Sequence, residues 1–199
     1  MSTARRMTFR LCLAIVVAAS IATAAAGQEK ANLYGLVFPA EVAGFTFRET
    51  YSFEKEKPGL GYDVTYTRPG WLADIYIYDL GLKSIPEDPR SERIRAQFEQ
   101  AEGDIFNAQQ RGQYKTVALR ARFAVADAKG RARLACGTFK LRRSNDKKDS
   151  DSYLCVTGWN NKFVKLRITV PAGGDNDATA LRFLSAWVNI LSMPSTPER

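Results

Sequence analysis

The 199-residue sequence contains no histidine, and this absence excludes several kinds of chemistry. Ser-His-Asp and Cys-His nucleophilic catalysis both need an imidazole base, and histidine is also the commonest transition-metal ligand. The sequence further lacks a phosphate-binding P-loop and a Gly-x-Gly-x-x-Gly turn after a predicted strand. We therefore expect no metal site, no cofactor and no nucleotide-dependent activity.

Cysteine is scarce, with only Cys12, Cys136 and Cys155 in the chain. No Cys-x-x-Cys spacing is present, which argues against a redox site. Two predicted strands, near 131–142 and 152–158, are joined by a polar hairpin centred on Asn145-Asp146, and this register places Cys136 opposite Cys155. The sequence therefore predicts a Cys136–Cys155 disulfide, the alternative being two free buried thiols.

The sequence has no apolar run long enough to cross a bilayer, since residues 11–22 fall short of the ~20 residues required. Arginines precede this run, and Ala24-Ala25-Ala26 follows it as a small-residue cleavage site. This pattern predicts a secretory signal peptide at residues 1–26 and a periplasmic or secreted product at 27–199, with no transmembrane span after cleavage. An uncleaved N-terminal anchor is the alternative.

Charge is distributed unevenly along the chain, whose formal net charge is +8. Residues 27–112 hold 10 Lys and Arg against 14 Asp and Glu, a net −4, whereas residues 113–199 hold 16 against 7, a net +9. Export disfavours nucleic acid as the partner of a basic surface. An anionic lipid, an acidic glycan or an acidic protein of the envelope is the expected partner, and a solvated basic surface without a ligand is the alternative.

Hydrophobic alternation and turn residues predict two similar halves. Strands are predicted from residue 44 to the Lys57-Pro58-Gly59 turn, at 62–67 and at 71–80. A helix follows at 89–111, with Asp88 as its N-cap, Pro89 at its first position and Gly112 as its stop. Its inner stripe is predicted to consist of Ile94, Phe98, Ala101, Ile105 and Ala108.

The second half repeats this plan. Strands are predicted at 114–126, 131–142, 152–158 and 162–170, followed by a helix at about 177–192 capped by Asp175 or Asp177. Its inner stripe is predicted to be Leu181, Leu184, Val188 and Leu191. The expected fold is a single α+β domain: an antiparallel sheet of about six to seven strands in β-β-β-α-β-β-β-β-α order with two packed helices.

The order of elements over residues 44–192 resembles that of the Mog1/PsbP-like group. The segment Tyr76-Ile77-Tyr78-Asp79-Leu80-Gly81 and the final helix are also similar to those of small exported bacterial proteins of unassigned function. This resemblance implies an antiparallel sheet flanked by helices. It also favours a binding or accessory protein over an enzyme, and it assigns no function to individual residues of this sequence.

Carboxylates are the remaining candidates for catalysis. Asp74 shares a predicted strand face with Tyr76 and Tyr78 in an apolar segment, but the sequence does not place Asp63 or Asp79 beside it as a second acid. A hydrogen-bonded structural carboxylate is the alternative, so no catalytic residue is assigned. The acidic residues of the 143–152 segment lack the glycine and glutamate of a calcium loop.

The most specific pattern is a series of basic pairs at i and i+2 spacing, which project from one face of a strand. The residues are Arg120, Arg122, Arg131, Arg133, Lys140, Arg142, Lys165 and Arg167. They predict a sheet that is apolar on one side and cationic on the other, with solvated long side chains as the alternative. The leading hypothesis is an exported binding or accessory protein without catalytic activity, and the alternative is a small carboxylate-dependent envelope hydrolase.

Overall fold

The structure, a computed structural model, describes residues 29–194. The predicted signal peptide lies outside the described residues. The ten strands are β1 (Glu29–Leu33), β2 (Leu36–Pro39), β3 (Glu41–Val42), β4 (Phe45–Ser52), β5 (Tyr62–Arg68), β6 (Trp71–Tyr78), β7 (Tyr114–Ala126), β8 (Ala132–Arg143), β9 (Ser150–Trp159) and β10 (Lys162–Pro171). The two helices are α1 (Glu92–Gln110) and α2 (Asn176–Leu191).

Eight of these strands form one antiparallel sheet in the order β3-β4-β5-β6-β10-β9-β8-β7, and β1 pairs with β2 in a separate hairpin. The β6–β10 pairing joins the two halves predicted from the sequence into one sheet. The predicted α+β class and the order of its main elements are confirmed. The three short strands before residue 44 were not predicted from the sequence.

The sheet carries an apolar layer on each side. On the side that we call the α2 side, α2 and the β1–β2 hairpin pack over a large core that includes Phe38, Tyr66 and Trp187. On the opposite, α1 side, α1 packs over a smaller core that includes Phe98 and Phe139. The strand predicted at 71–80 ends at Tyr78, and within it the alternation holds, since Ala73, Ile75 and Ile77 belong to the α2-side core.

Helix α1 buries the predicted stripe, but it begins later than predicted. Ser91 is its N-cap, and the Ser91 hydroxyl accepts a hydrogen bond from the amide of Ile94. Asp88 is not the cap, because its carboxylate accepts bonds from the backbone and side chain of Arg90 instead. Gly112 ends the helix with a φ of 77°, as the C-terminal glycine rule predicts.

Helix α2 faces the sheet with a different stripe from the one predicted. Leu184, Val188 and Leu191 are buried, whereas Leu181 is 43% exposed and was assigned to the wrong face. Phe183 and Trp187 fill the inner face alongside Ala180. Trp187 is fully buried and packs among aromatic rings in the core on the α2 side of the sheet.

The predicted disulfide is confirmed. Cys136 and Cys155 are directly paired across β8 and β9, their Cα atoms are 4.1 Å apart, and their sulfur atoms are bonded. Both cysteines lie on the α2 side, opposite Leu154 and Val156, as the alternation predicts. Within the described part of the chain, neither helix is long and apolar enough to cross a membrane.

The packing of α1 is tested by Phe98→Ala. The Phe98 ring is 6% exposed and approaches Gly137 on β8, where an added Cβ would meet the ring at 3.1 Å. Removing the ring leaves a cavity, so we expect a loss of about 3 kcal/mol in the free energy of unfolding, measured by urea denaturation.

The control is Gln100→Ala, an exposed position on the same helix, which should change stability by less than about 0.5 kcal/mol. Equal effects of the two substitutions would show that α1 does not pack through Phe98.

Candidate functional site

Helix α1 covers only part of its side of the sheet. It packs mainly on β7, β8 and β9, and its first turns also reach Tyr78 of β6 and Phe163 of β10. The rest of the α1 side of β5, β6 and β10 is not covered by a second helix of the described chain. The open strands and the flank of the helix form a groove that runs along the length of α1. We call this feature the groove throughout.

The floor of the groove consists of two rows of side chains that cross three neighbouring strands. The pairing register places Asp63, Tyr76 and Lys165 in one row, and Thr65, Asp74 and Arg167 in the next. Residues at alternate positions of one strand share a sheet face, so all six side chains lie on the α1 side. The groove therefore brings two carboxylates, two cations and two hydroxyls onto one surface.

The wall of the groove is a polar stripe of α1 that runs beside its buried stripe. At the C-terminal end of the helix, a cavity of about 210 Å³ separates the helix from the sheet. Its polar lining consists of Tyr76, Asp104, Arg111, Gln113, Tyr114, Lys165 and Arg167. We call Arg111, Lys165 and Arg167 the cationic end of the groove.

Lys165 is largely buried at this end. Its Nζ atom lies 4.2 Å from the centre of the Tyr76 ring and 5.7 Å from that of Tyr78, which are cation–π distances. Burial is the main cause that lowers the pKa of Lys165, and the positive charge of Arg167 lowers it further. The carboxylates of Asp104, Asp63 and Asp74 act in the opposite direction.

Arg167 lies beside Lys165 and is also only partly exposed. Its Nε atom donates a hydrogen bond of 2.7 Å to the Ser152 hydroxyl, which in turn donates to the carbonyl of Ile168. Burial lowers the pKa of Arg167, while the nearby Tyr114, Tyr76 and Asp74 raise it. Within residues 29–194, neither Arg167 nor Lys165 belongs to a salt bridge.

The two carboxylates of the floor differ in their hydrogen bonding. Burial and the neighbouring Asp74 raise the pKa of Asp63 to about 7, although Lys165 and Tyr76 oppose the shift. One carboxylate oxygen of Asp63 is buried and has no hydrogen-bond partner among the described residues. Asp74 accepts a bond of 3.2 Å from Thr65, and burial raises its pKa against the effects of Thr65, Arg167 and Lys165.

The structure therefore supplies Asp74 with the neighbouring acid that the sequence did not place. That acid is Asp63 on the adjacent strand. Asp79, the other acid considered, is engaged elsewhere, since it forms a salt bridge with Lys162 and accepts a bond from the amide of Gly81.

The eight predicted basic residues do not form one cationic face. Lys165 and Arg167 lie in the groove, and Arg122 forms a two-bond ion pair with Glu102 of α1. On the α2 side, Arg120 lies near Tyr153, while Lys140 and Arg142 both contact Asp149. Arg131 pairs with Asp127 in the turn before β8, and Arg133 borders a separate cavity near Glu87 and Trp159.

The single-face prediction fails for two physical reasons. Helix α1 covers part of the side that was expected to be free, so the cations there lie under or beside a helix. A β-bulge between Leu119 and Ala121 also interrupts the alternation of β7, so that Arg120 and Arg122 reach opposite sides of the sheet.

Sequence reasoning missed the part of the site that α1 contributes. Gln97, Gln100, Asp104 and Arg111 recur at spacings of three, four and seven residues and line the groove. This is a helical stripe that runs parallel to the apolar one. A helical-wheel comparison would have found the stripe, but only the pairing of β6 with β10 shows what it faces.

Comparisons with known proteins give little beyond the fold. No protein-family model matches the chain, and no curated protein matches it. Among solved structures, the chain is similar to the 1.9 Å crystal structure of the Ran-binding protein Mog1p from Saccharomyces cerevisiae. The TM-score is 0.38 at 12% sequence identity, and the match covers 83% of this chain and 91% of the yeast chain. This weak structural resemblance agrees with the one drawn from the order of elements, and it carries no argument about function.

The environment of Asp63 predicts a pH dependence of stability. The folded-state pKa of about 7 lies above the ordinary value of 3.8, so the native protein holds this proton more tightly than the unfolded chain. Stability should therefore fall as the pH rises from about 4 to about 7. Asp63→Asn should remove this decline and stabilise the protein at pH 8 by about 1–2 kcal/mol. This gain is smaller than the full pKa shift implies, because solvent partly screens the charge of Asp63.

The measurement is urea denaturation at pH 4 and at pH 8. The control is Asp146→Asn, an exposed position in the β8–β9 hairpin, which should retain the pH dependence of the wild type. An Asp63→Asn variant whose stability declines as steeply as that of the wild type would contradict the account.

Proposed function

We propose that this protein is an exported binding or accessory protein without catalytic activity, and that it takes an anionic group at the cationic end of the groove. One observation carries the proposal. Lys165 and Arg167 are largely buried next to a cavity that opens to solvent, and neither forms a salt bridge within the described residues.

A buried cation without an ion-pair partner costs free energy, because it loses the hydration that it has in water. The hydroxyl of Ser152 and the ring of Tyr76 offset part of this cost for Arg167 and Lys165. A carboxylate or phosphate in the cavity would offset the rest and would gain charge-assisted hydrogen bonds. The groove thus has the properties of a preorganised anion site.

Export is part of the proposal. The Cys136–Cys155 disulfide supports it, since such bonds persist in oxidising compartments, and the N-terminal sequence pattern points the same way. In the periplasm or outside the cell, the candidate sources of the anion are a lipid headgroup, an acidic glycan and an acidic protein.

The test is an NMR titration of the ¹⁵N-labelled chain with inorganic phosphate. We expect chemical-shift changes at Tyr114, Lys165 and Arg167 that weaken as the salt concentration rises. Arg111→Gln should weaken phosphate binding at least threefold, because Arg111 is an exposed cation of the same cavity and its removal leaves the core intact.

The matched control is Lys129→Gln, which removes one exposed charge in the β7–β8 turn. The 13 residues of β7 separate that turn from Tyr114 by about 40 Å. Binding should be unchanged in this variant. Shift changes outside the groove, or equal effects of the two substitutions, would overturn the proposal.

A second candidate function, a carboxylate-dependent hydrolase, is favoured by one observation. Asp63 and Asp74 occupy neighbouring strands on the open side of the sheet, and the pKa of Asp63 is raised to about 7, which suits a proton donor. Turnover of an ester, amide or glycoside that disappears in Asp74→Asn would establish this function in place of the first.

A further inference from the structure

The groove does not end at its cationic end. A second cavity of about 280 Å³ shares Tyr76, Asp104 and Lys165 with the first and continues toward the N-terminus of α1. Its lining changes from charged to apolar and aromatic. We call this part, formed by Phe53, Leu60, Tyr78 and Leu80, the apolar end of the groove.

Tyr78 is a buried aromatic residue of the apolar end. It is only 6% exposed, and it lines the second cavity together with Leu60 and Leu80. Aromatic and aliphatic side chains together give this end of the groove a surface that suits a hydrocarbon chain.

Large apolar side chains continue the groove onto the surface. Leu80 is 43% exposed and Leu82 is 39% exposed, and both border a third cavity with Phe163 beside the first turns of α1. The three cavities follow one another along the helix. The distance from Arg111 to Ala96 along α1 is about 22 Å, given a rise of 1.5 Å per residue.

Backbone hydrogen bonds fix the segment that carries Leu80. The amide of Leu80 donates a bond of 2.8 Å to the carbonyl of Gly59. Glu54 in turn accepts bonds from the amides of Gly59 and Gly61, at 3.0 and 2.6 Å. At Gly59, whose φ is 89°, any side chain would meet the amide of Gly81 at 2.7 Å. These backbone contacts therefore hold Leu80 at a position where its apolar side chain stays exposed.

From this arrangement we infer that the groove binds a single-chain amphiphile with an anionic head. The head occupies the cationic end, at Arg111, Lys165 and Arg167, and the chain lies along the apolar end over Leu60, Tyr78 and Leu80. This inference rests on the proposed function and names the chemical class of its ligand. Charge at one end of the groove and apolar surface at the other fit an amphiphile better than a glycan or an acidic peptide, which are polar along their whole length.

The test compares three probes by isothermal titration calorimetry, each below its critical micelle concentration where it has one. Octyl phosphate has both head and chain, inorganic phosphate has the head alone, and octyl glucoside has the same chain on a neutral head. We expect octyl phosphate to bind at least tenfold more tightly than either of the other probes, because only it fills both ends.

A matched pair of variants tests where the hydrocarbon chain of the probe lies. Leu80→Gln and Leu181→Gln each replace a leucine that is 43% exposed, but Leu181 lies on α2, on the other side of the sheet. Leu80→Gln should weaken octyl phosphate at least threefold and leave inorganic phosphate unchanged, and Leu181→Gln should alter neither. If Leu80→Gln does not fold, Leu82→Gln replaces it, since Leu82 lies beyond the Gly59 contact.

The outcomes separate this inference from the proposed function. Equal affinities for octyl phosphate and inorganic phosphate would overturn the inference and leave the anion site standing. Octyl glucoside that binds as tightly as octyl phosphate would overturn it as well, because the head would then not be recognised. If none of the probes binds, both the inference and the proposed function fail.

Discussion

A mismatch of width between helix α1 and the sheet determines where the sheet stays uncovered. An α-helix with its side chains is about 10 Å wide, whereas adjacent strands are about 4.8 Å apart, so one helix covers two or three strands. The sheet has eight strands. On the α2 side, the β1–β2 hairpin adds cover to that of α2, and the core there is continuous. On the α1 side no second helix of the described chain extends the cover beyond the ends of β6 and β10 at Tyr78 and Phe163, and the groove is the result.

The boundary between covered and uncovered strands explains the chemistry of the groove. Residues fully under α1, such as Leu154 and Val156, are apolar and buried. The residues of β10 that face the same way at the boundary are Lys165 and Arg167, whose stems lie in the protein and whose charges reach the cavity. Asp63 and Asp74 lie one or two strands further out. Within the described residues, the cations and the carboxylates of the groove form no salt bridge with one another.

Local pattern was enough to predict much of the fold. Alternation located the long strands, the spacing of Ile94, Phe98 and Ile105 identified the buried face of α1, and hairpin symmetry paired Cys136 with Cys155. These features depend on residues that are close in sequence. The stripe of α2 was predicted less well, because Leu181 is as apolar as Leu184 and only packing separates them.

The candidate site depends on contacts that local pattern does not contain. Lys165 meets Tyr76 only because β10 inserts beside β6, a pairing across nearly ninety residues of chain. The sequence predicted one sheet, but it did not show which strand of the first half pairs with which strand of the second. The position of α1 over β7–β9 decides which cations are covered, and a single bulge in β7 separates Arg120 from Arg122. The basic residues of the sequence predicted a charged surface. Which of those residues lie together depends on the strand order and the β7 bulge, which the sequence pattern does not contain.

We propose that Lys165 lies in the groove as a contact for a ligand and not as a structural partner of the nearby acids. A direct test is the stability of Lys165→Met without added anion at pH 8, above the pKa of about 7 of Asp63, where this carboxylate is ionised and able to act as a partner. Methionine preserves the apolar stem against Tyr76 and removes the buried charge. We predict that the variant gains about 1 kcal/mol in the free energy of unfolding, since an unpaired buried cation is removed. A loss of about 3–5 kcal/mol, as expected when one member of a buried ion pair is deleted, would contradict the account.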